Sequence, residues 1–261
     1  MKHIICFSGG KDSTALVLWA IDNLPEFDTV FCDTKWEHEI TYAYIEEINQ
    51  KLLGGKLITI TSEGMESLVV RKGRVPSAKA RFCTENLKLK PMIKWLETIE
   101  DEKTIYQGIR AQESQSRSNM KPHEWNDDYD AWIDRPLLHW THEQVFALMK
   151  EKNVEPNPLY FMGARRVGCF PCVMISHREL KPMLLTAPEI VEKIERLEKI
   201  CGKSFFPPNY IPERFQTGFD EKSGNKFPWA TDVFKYLMER DEDQLPLLPL
   251  VQCMSAYNLC E

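Results

Sequence analysis

No apolar stretch of the chain approaches the roughly 18 to 20 residues that a membrane-crossing helix needs, so a helical membrane role is excluded. Positive charge is not in excess either. The 33 Lys and Arg residues face 39 Asp and Glu, a net charge of −6, which removes any global electrostatic drive toward nucleic acid and leaves only local patches. Internal repeats and low-complexity tracts are missing, so neither a solenoid nor a disordered array is expected. The opening MKHIICFSGG runs at once into a glycine motif and leaves no room for an export signal, which makes a cytoplasmic protein the expectation. With 261 residues, 43% of them apolar and 28% charged, the chain can bury one main core or one core with an appended lobe. Cysteine, by contrast, is plentiful. Eight thiols in a reducing compartment point to metal binding or redox chemistry before disulfides, and their spacing has to decide.

Hydrophobic periodicity organises the first half. His3 to Phe7 reads as a strand, Ser8 to Gly10 as a glycine turn, and Ser13 to Trp19 as the start of a helix. Thr29 to Cys32 predicts a second strand, Glu39 to Leu53 a second helix, Lys56 to Ile60 a third strand, and Thr104 to Ile109 a fourth. Between the last two, Glu85 to Glu97 reads as a helix that Pro91 kinks or restarts. Strands alternating with helices imply a doubly wound, mostly parallel α/β sheet. Asn119 to Arg135 shows no period and is expected to be a loop near the ligand. Thr141 with Gln144 forms a capping box for a helix to about Lys152, and Pro188 to Cys201 predicts another, closed by Gly202. The expected organisation is a nucleotide-binding domain over 1–175, including a cysteine segment, and an irregular, helical lobe over 176–261.

The first motif is Ser8, Gly9, Gly10, Lys11, Asp12 and Ser13, placed where a strand hands over to a helix. The glycines let several backbone N–H groups point inward, the helix start adds partial positive charge, and the two serines add hydroxyl donors. Together these make a phosphate cradle. Its length and the place of its lysine differ from a Walker loop. Two glycines alone would be a plain turn, but the whole string in this setting is read as functional. SGGKDS resembles the signature of the PP-loop family, which includes ATP pyrophosphatases, tRNA thiolation enzymes, sulfate adenylyltransferase small subunits, and the reductases of phosphoadenosine phosphosulfate (PAPS) and adenylyl sulfate (APS).

Two further segments resemble the PAPS reductase family. In CDTKWEHEIT, Asp33, Thr34, Glu37 and Thr41 fit that family's DTGxxxPET element, while Lys35 replaces its glycine. The resemblance implies that Asp33 and Thr34 lie near the nucleotide. Gly108, Arg110, Glu113, Ser114 and Arg117 form GxRxxESxxR. The seven-residue spacing of the two arginines would let both face one way on a helix and hold phosphate or sulfate through forked hydrogen bonds. This segment is similar to the family's sulfonucleotide-binding stretch.

Cys169 and Cys172 form a CxxC that suits a metal centre, a redox pair or a zinc half-site. The surrounding PNPLYxxGxxRxGCxxC resembles the cluster-proximal segment of APS reductases, and Cys83 falls where those proteins carry a cysteine pair, with Phe82 in place of its partner. The resemblance therefore implies a [4Fe–4S] cluster on Cys83, Cys169 and Cys172, completed by a tail cysteine such as Cys253 or Cys260 or left with one open iron. Zinc stays open as an alternative. Cys6 and Cys32 are expected as buried small hydrophobes of core strands. Cys260 partly resembles the tail nucleophile of assimilatory reductases, though it lacks the flanking glutamate and histidine. Lys11 and Arg110 would then stand beside the reacting group.

Two activities follow from the resemblance. A sulfonucleotide reductase would hold APS or PAPS and attack its sulfur with Cys260, and the S-sulfo intermediate would be reduced by an external thiol of thioredoxin or glutaredoxin, giving sulfite and the nucleotide. A PP-loop ATP pyrophosphatase would instead take ATP, with Mg2+, adenylate a nucleic acid, and receive sulfur from a cysteine desulfurase. For that target the sequence offers a basic stretch of Arg71, Lys72, Arg74, Lys79, Arg81, Lys88 and Lys90.

Overall fold

A computed structural model describes residues 1–240. The chain opens with β1 (Lys2–Phe7), α1 (Lys11–Asn23), β2 (Asp28–Asp33), α2 (Glu39–Leu53), β3 (Ile58–Thr61) and α3 (Met65–Lys72). A helical stretch follows in three pieces: α4 (Phe82–Thr84), a π turn over Glu85–Leu89, and α5 (Lys90–Leu96). The π turn lies where the sequence presents a kink, and Pro91 follows directly behind it in α5. Then come β4 (Lys103–Tyr106), a 3-10 turn at Ala111–Glu113, α6 (Gln115–Ser118), β5 (His123–Asn126), β6 (Ala131–Asp134) and α7 (His142–Glu151). The last part holds α8 (His177–Thr186), α9 (Glu189–Cys201), β7 (Gly218–Asp220), β8 (Asn225–Phe227) and α10 (Ala230–Met238).

Six strands form one sheet in the order β3-β2-β1-β4-β6-β5, parallel except for the antiparallel edge strand β5. Because side chains alternate across a strand, Ile5, Phe7 and Phe31 meet α1, α2 and α7 on one face, while Ile4, Val30, Ile105 and Ile133 meet Leu89, Met92 and Leu96 on the other. The strand order reverses direction between β1 and β4, and such a switch point opens a crevice at the carboxyl ends of the strands. A third apolar cluster joins Trp36, Met65, Leu68 and Val69 to Ile190, Ile194, Leu197, Phe206 and Tyr236. The region after 176 is thereby tied to the end of β2 by a shared core.

Asn119 to Arg135 is not a loop: it contains the β5–β6 hairpin, with Trp125 paired to Trp132 across the strands and Asp130 in a left-handed turn. Alternating aromatics around an Asn-Asp-Asp turn are a hairpin pattern. The strands are only four residues each, too short to display a period. The C-terminal lobe is likewise more regular than expected, with α8, α10 and a small hairpin besides α9. Thr141 caps α7 with the reciprocal Gln144 bond, and Gly202 ends α9 in the left-handed conformation. Among the described residues no helix is long and apolar enough to cross a membrane.

Candidate functional site

The SGGKDS segment turns from β1 into α1 with Gly9 at φ +78°, where a Cβ would stand 2.9 Å from the Ile45 side chain. Gly10 is the N-cap; its carbonyl accepts the hydroxyls of Ser13 and Thr14, both at 2.9 Å. Ser13 Oγ also accepts the Ser8 N–H at 3.2 Å and lies 3.1 Å from Ser8 Oγ. These bonds fix the curvature of the cradle. Asp12 is fully buried, one carboxylate oxygen held by Arg110 Nε at 2.5 Å and the other by the Lys11 ammonium. A buried carboxylate is tolerated because two cations surround it.

Gly108 closes the loop from the β4 side. A Cβ there would come within 2.8 Å of the Asp12 carbonyl oxygen, so only glycine lets the strand end approach the phosphate loop this closely. Arg110 itself is extended (φ −122°, ψ 138°), and Arg117 belongs to the separate four-residue α6, so the two arginines do not share a helix. The segment is knotted together instead. The Glu113 carboxylate accepts the Arg110 N–H at 2.9 Å and pairs with the Arg117 guanidinium, while Ser114 Oγ caps α6 by accepting the Arg117 N–H at 3.1 Å. Arg110 thus faces the phosphate loop and Arg117 braces it from behind.

At the end of β2, Asp33 Oδ1 accepts the Lys35 N–H and the Tyr42 hydroxyl, both at 2.8 Å. Lys35 adopts φ +53°, so lysine keeps the left-handed turn for which glycine is the natural residue. Thr34 donates to Glu37 Oε1 at 2.7 Å, and Glu37 Oε2 accepts from Tyr42 at 3.0 Å. Trp36, which the sequence reading passed over, is buried and ties this turn to the cysteine segment. Its indole N–H donates to the Pro171 carbonyl at 3.0 Å, and its own carbonyl accepts the Phe170 N–H at 2.6 Å. The docking brings Cys169 Sγ to 3.6 Å from Thr34 Oγ1 and 4.0 Å from Glu37 Oε1. Lys193 of α9 completes the contact, donating to the Glu37 carbonyl at 2.9 Å, with its ammonium over the Trp36 ring and its pKa lowered by burial.

The cleft these parts enclose has a volume of about 680 Å³ and is lined by Ser8, Ser13, Gly108, Glu37, Lys88 and Gly168, with Val30, Phe31 and Met92 among its apolar residues. Cys6 and Cys32 pack against the core on β1 and β2, as expected of small hydrophobes there, and also line the cleft; burial pushes their thiols up to about 12 and about 11, which keeps them protonated. Lys88 is buried, lines this cleft, and also lines a second cavity of about 480 Å³ with Arg166, Cys169, Cys172 and Glu179. It therefore leaves the basic surface that the sequence suggested. In that stretch Arg71 is paired with Glu63 and Lys90 with Glu85.

Cys169 and Cys172 line the second cavity, and Cys83 and Cys169 both pack against the third apolar cluster. Among the described residues no three His, Cys, Asp or Glu side chains are grouped to hold a metal ion. Cys253 and Cys260 lie outside the described residues. His142, at the start of α7, is a further neighbour of the site: burial lowers its pKa, and the nearby charges of Lys11 and Arg110 lower it further. Only the fold brings it there.

Fold and site together define a mostly parallel α/β protein with the SGGKDS loop at its switch point. The chain belongs to the phosphoadenosine phosphosulfate reductase domain family, whose sequence profile matches residues 2–174. It is similar to a 37.8 kDa protein of Escherichia phage 186, at 31% identity over 99% of this chain and 96% of the relative. A Methanocaldococcus jannaschii protein is 31% identical over 74% of this chain, which spans only 41% of that relative's length. An adenosine 5′-phosphosulfate reductase of Bacillus thuringiensis is 23% identical over 58% of this chain and 64% of its own length. The crystal structure of a phosphoadenylyl-sulfate reductase from Candida auris, in complex with phosphate, shares the fold with a TM-score of 0.54 at 17% identity, covering 66% of this chain and 83% of that one.

Proposed function

We propose that the chain is an enzyme of sulfur metabolism that binds an adenine nucleotide in the cleft at the β1–β4 switch point and reduces APS or PAPS to sulfite with a thiol. The observation that carries this reading is that the SGGKDS loop and the cysteine segment meet at one cleft, whose lining includes Ser8, Ser13 and Gly168, the residue before Cys169. The loop and Arg110 would hold the 5′-phosphate group. Asp33, Thr34 and Glu37 stand at the end of β2, where acceptors for ribose hydroxyls are found in related crevices. Cys260 is the proposed nucleophile: its thiolate attacks the sulfur, the bond to the nucleotide phosphate breaks, and an S-sulfo enzyme and the free nucleotide result. An external dithiol of the thioredoxin or glutaredoxin kind then attacks the enzyme sulfur, releasing sulfite and becoming oxidised.

A second reading is favoured by Phe82, which is buried in the core beside Cys83 and leaves three thiols where a cluster takes four. In it the cleft takes ATP with Mg2+, adenylates a nucleic acid, and passes on sulfur from a cysteine desulfurase. One experiment separates the two. The chain is purified without oxygen, its iron content is measured, and it is incubated with ATP, APS and PAPS while sulfite and pyrophosphate are assayed. Sulfite from APS or PAPS that disappears in Cys260→Ser is the expected result; pyrophosphate from ATP alone overturns the reductase reading.

A further inference from the structure

Tyr160 lies against the phosphate loop. Its hydroxyl accepts the Lys11 N–H at 3.1 Å, and the Lys11 ammonium stands over its ring, 5.5 Å from the centroid. The ring is held there by a short 3-10 turn, Pro158–Met162, fixed at both ends. At the front, Asn157 is fully buried and donates to the Gly9 carbonyl at 3.2 Å, while its own Oδ1 accepts the Leu159 N–H at 3.0 Å. At the back, Gly163 takes φ +104°, and a Cβ there would press on Pro182 at 3.0 Å. Tyr160 is thus clamped to the loop that its hydroxyl and ring contact.

A backbone N–H at the first turn of a helix is the group with which such a loop grips an anion. In this structure the phenol oxygen already accepts from it. A charged phosphate oxygen is the stronger acceptor and would take the N–H from a neutral phenol. We propose that Tyr160 is a positioning residue of the phosphate site with two separable tasks: its ring seats the Lys11 ammonium, and its hydroxyl holds the Lys11 N–H until a phosphate oxygen displaces it. This rests on the nucleotide reading above. It goes further in tying occupancy of the loop to the turn that leads into Gly168 and Cys169.

The test is calorimetric titration of the full chain with inorganic pyrophosphate and with ATP, comparing wild type, Tyr160→Phe and Tyr160→Leu, with melting curves to show that each is folded. Removing the competing hydroxyl while keeping the ring should make Tyr160→Phe bind about fivefold more tightly than wild type, the equivalent of one ordinary hydrogen bond. Tyr160→Leu, which loses the ring as well, should bind more weakly than Tyr160→Phe. A general loss of packing does not produce a gain in affinity. Unchanged or weaker binding by a folded Tyr160→Phe, with wild type binding normally, overturns the proposal and leaves the nucleotide reading intact. Leu equal to Phe removes the ring's task. No binding of either ligand by folded wild type overturns both.

Discussion

The two sides of the cleft are built differently. The phosphate-loop side is local: six consecutive residues, two glycines and the hydroxyls of Ser8, Ser13 and Thr14 shape it almost unaided. The cysteine side is assembled at long range, by Trp36 against Pro171, His38 against Glu189, and Lys193 against Glu37. A local motif can be recognised in a sequence and replaced only with difficulty. A docked segment leaves little trace in the sequence, because each contact needs only one ordinary residue at each end.

The largest expected effect would come from breaking the buried ion pair that ties the local side to the segment after β4. Arg110→Met leaves the fully buried Asp12 with Lys11 alone, and removing one partner of such a pair costs about 3–5 kcal/mol. Urea denaturation of this variant, and of Asp12→Asn with Arg110→Met, measures it; the double variant should recover part of the loss. A change below about 1 kcal/mol would mean that the loop needs no help from β4.

The lobe behind the cysteine side is open to a pH test. His177 is buried edge-on to Tyr210, and burial lowers its pKa, partly offset by a hydrogen bond with the Tyr210 backbone. The folded state therefore favours the neutral ring. Its contribution is fully present above the unfolded value of about 6.5 and is lost as pH falls from there toward the folded value, by up to about 1.4 kcal/mol per pH unit. Denaturation at a series of pH values should show this slope in wild type and not in His177→Phe. An identical slope in both would assign the acid sensitivity to other groups.

The smallest effect concerns the hinge between the two sides. Lys35 holds a left-handed conformation that costs a non-glycine residue about 1 kcal/mol, so Lys35→Gly should stabilise the chain by a similar or smaller amount in a melting experiment. Destabilisation would instead show that the lysine side chain, which packs on Gly64, contributes more than its backbone loses.

The same contrast explains what was legible in advance. β1, α1, β2, α2 and β3 follow from periodicity and glycine chemistry, and the family resemblance of the motifs agrees with the match over residues 2–174. The β5–β6 hairpin was missed because four-residue strands give no period. The shared helix expected for Arg110 and Arg117 is interrupted at Ser114, which is extended (φ −169°, ψ 156°) between the 3-10 turn that Arg110 caps and α6. Trp36 was an ordinary letter, and Asn157 and Tyr160 only part of the motif before the cysteines, until the fold placed their partners 135, 148 and 149 residues away.

The π turn at Glu85–Leu89 sets the angular phase of everything after it. An α-helix advances about 100° per residue, so a turn one residue wider shifts the helix behind it by that angle relative to the helix in front. Lys88 lies within this turn and reaches both cavities, while Met92 and Leu96 beyond it still meet the sheet. Shortening the turn by one residue would leave the chain's composition nearly untouched. It would force a choice between keeping Cys83 in its place and keeping Met92 in its own, and the two halves of this helix would no longer serve the cysteine side and the nucleotide side at once.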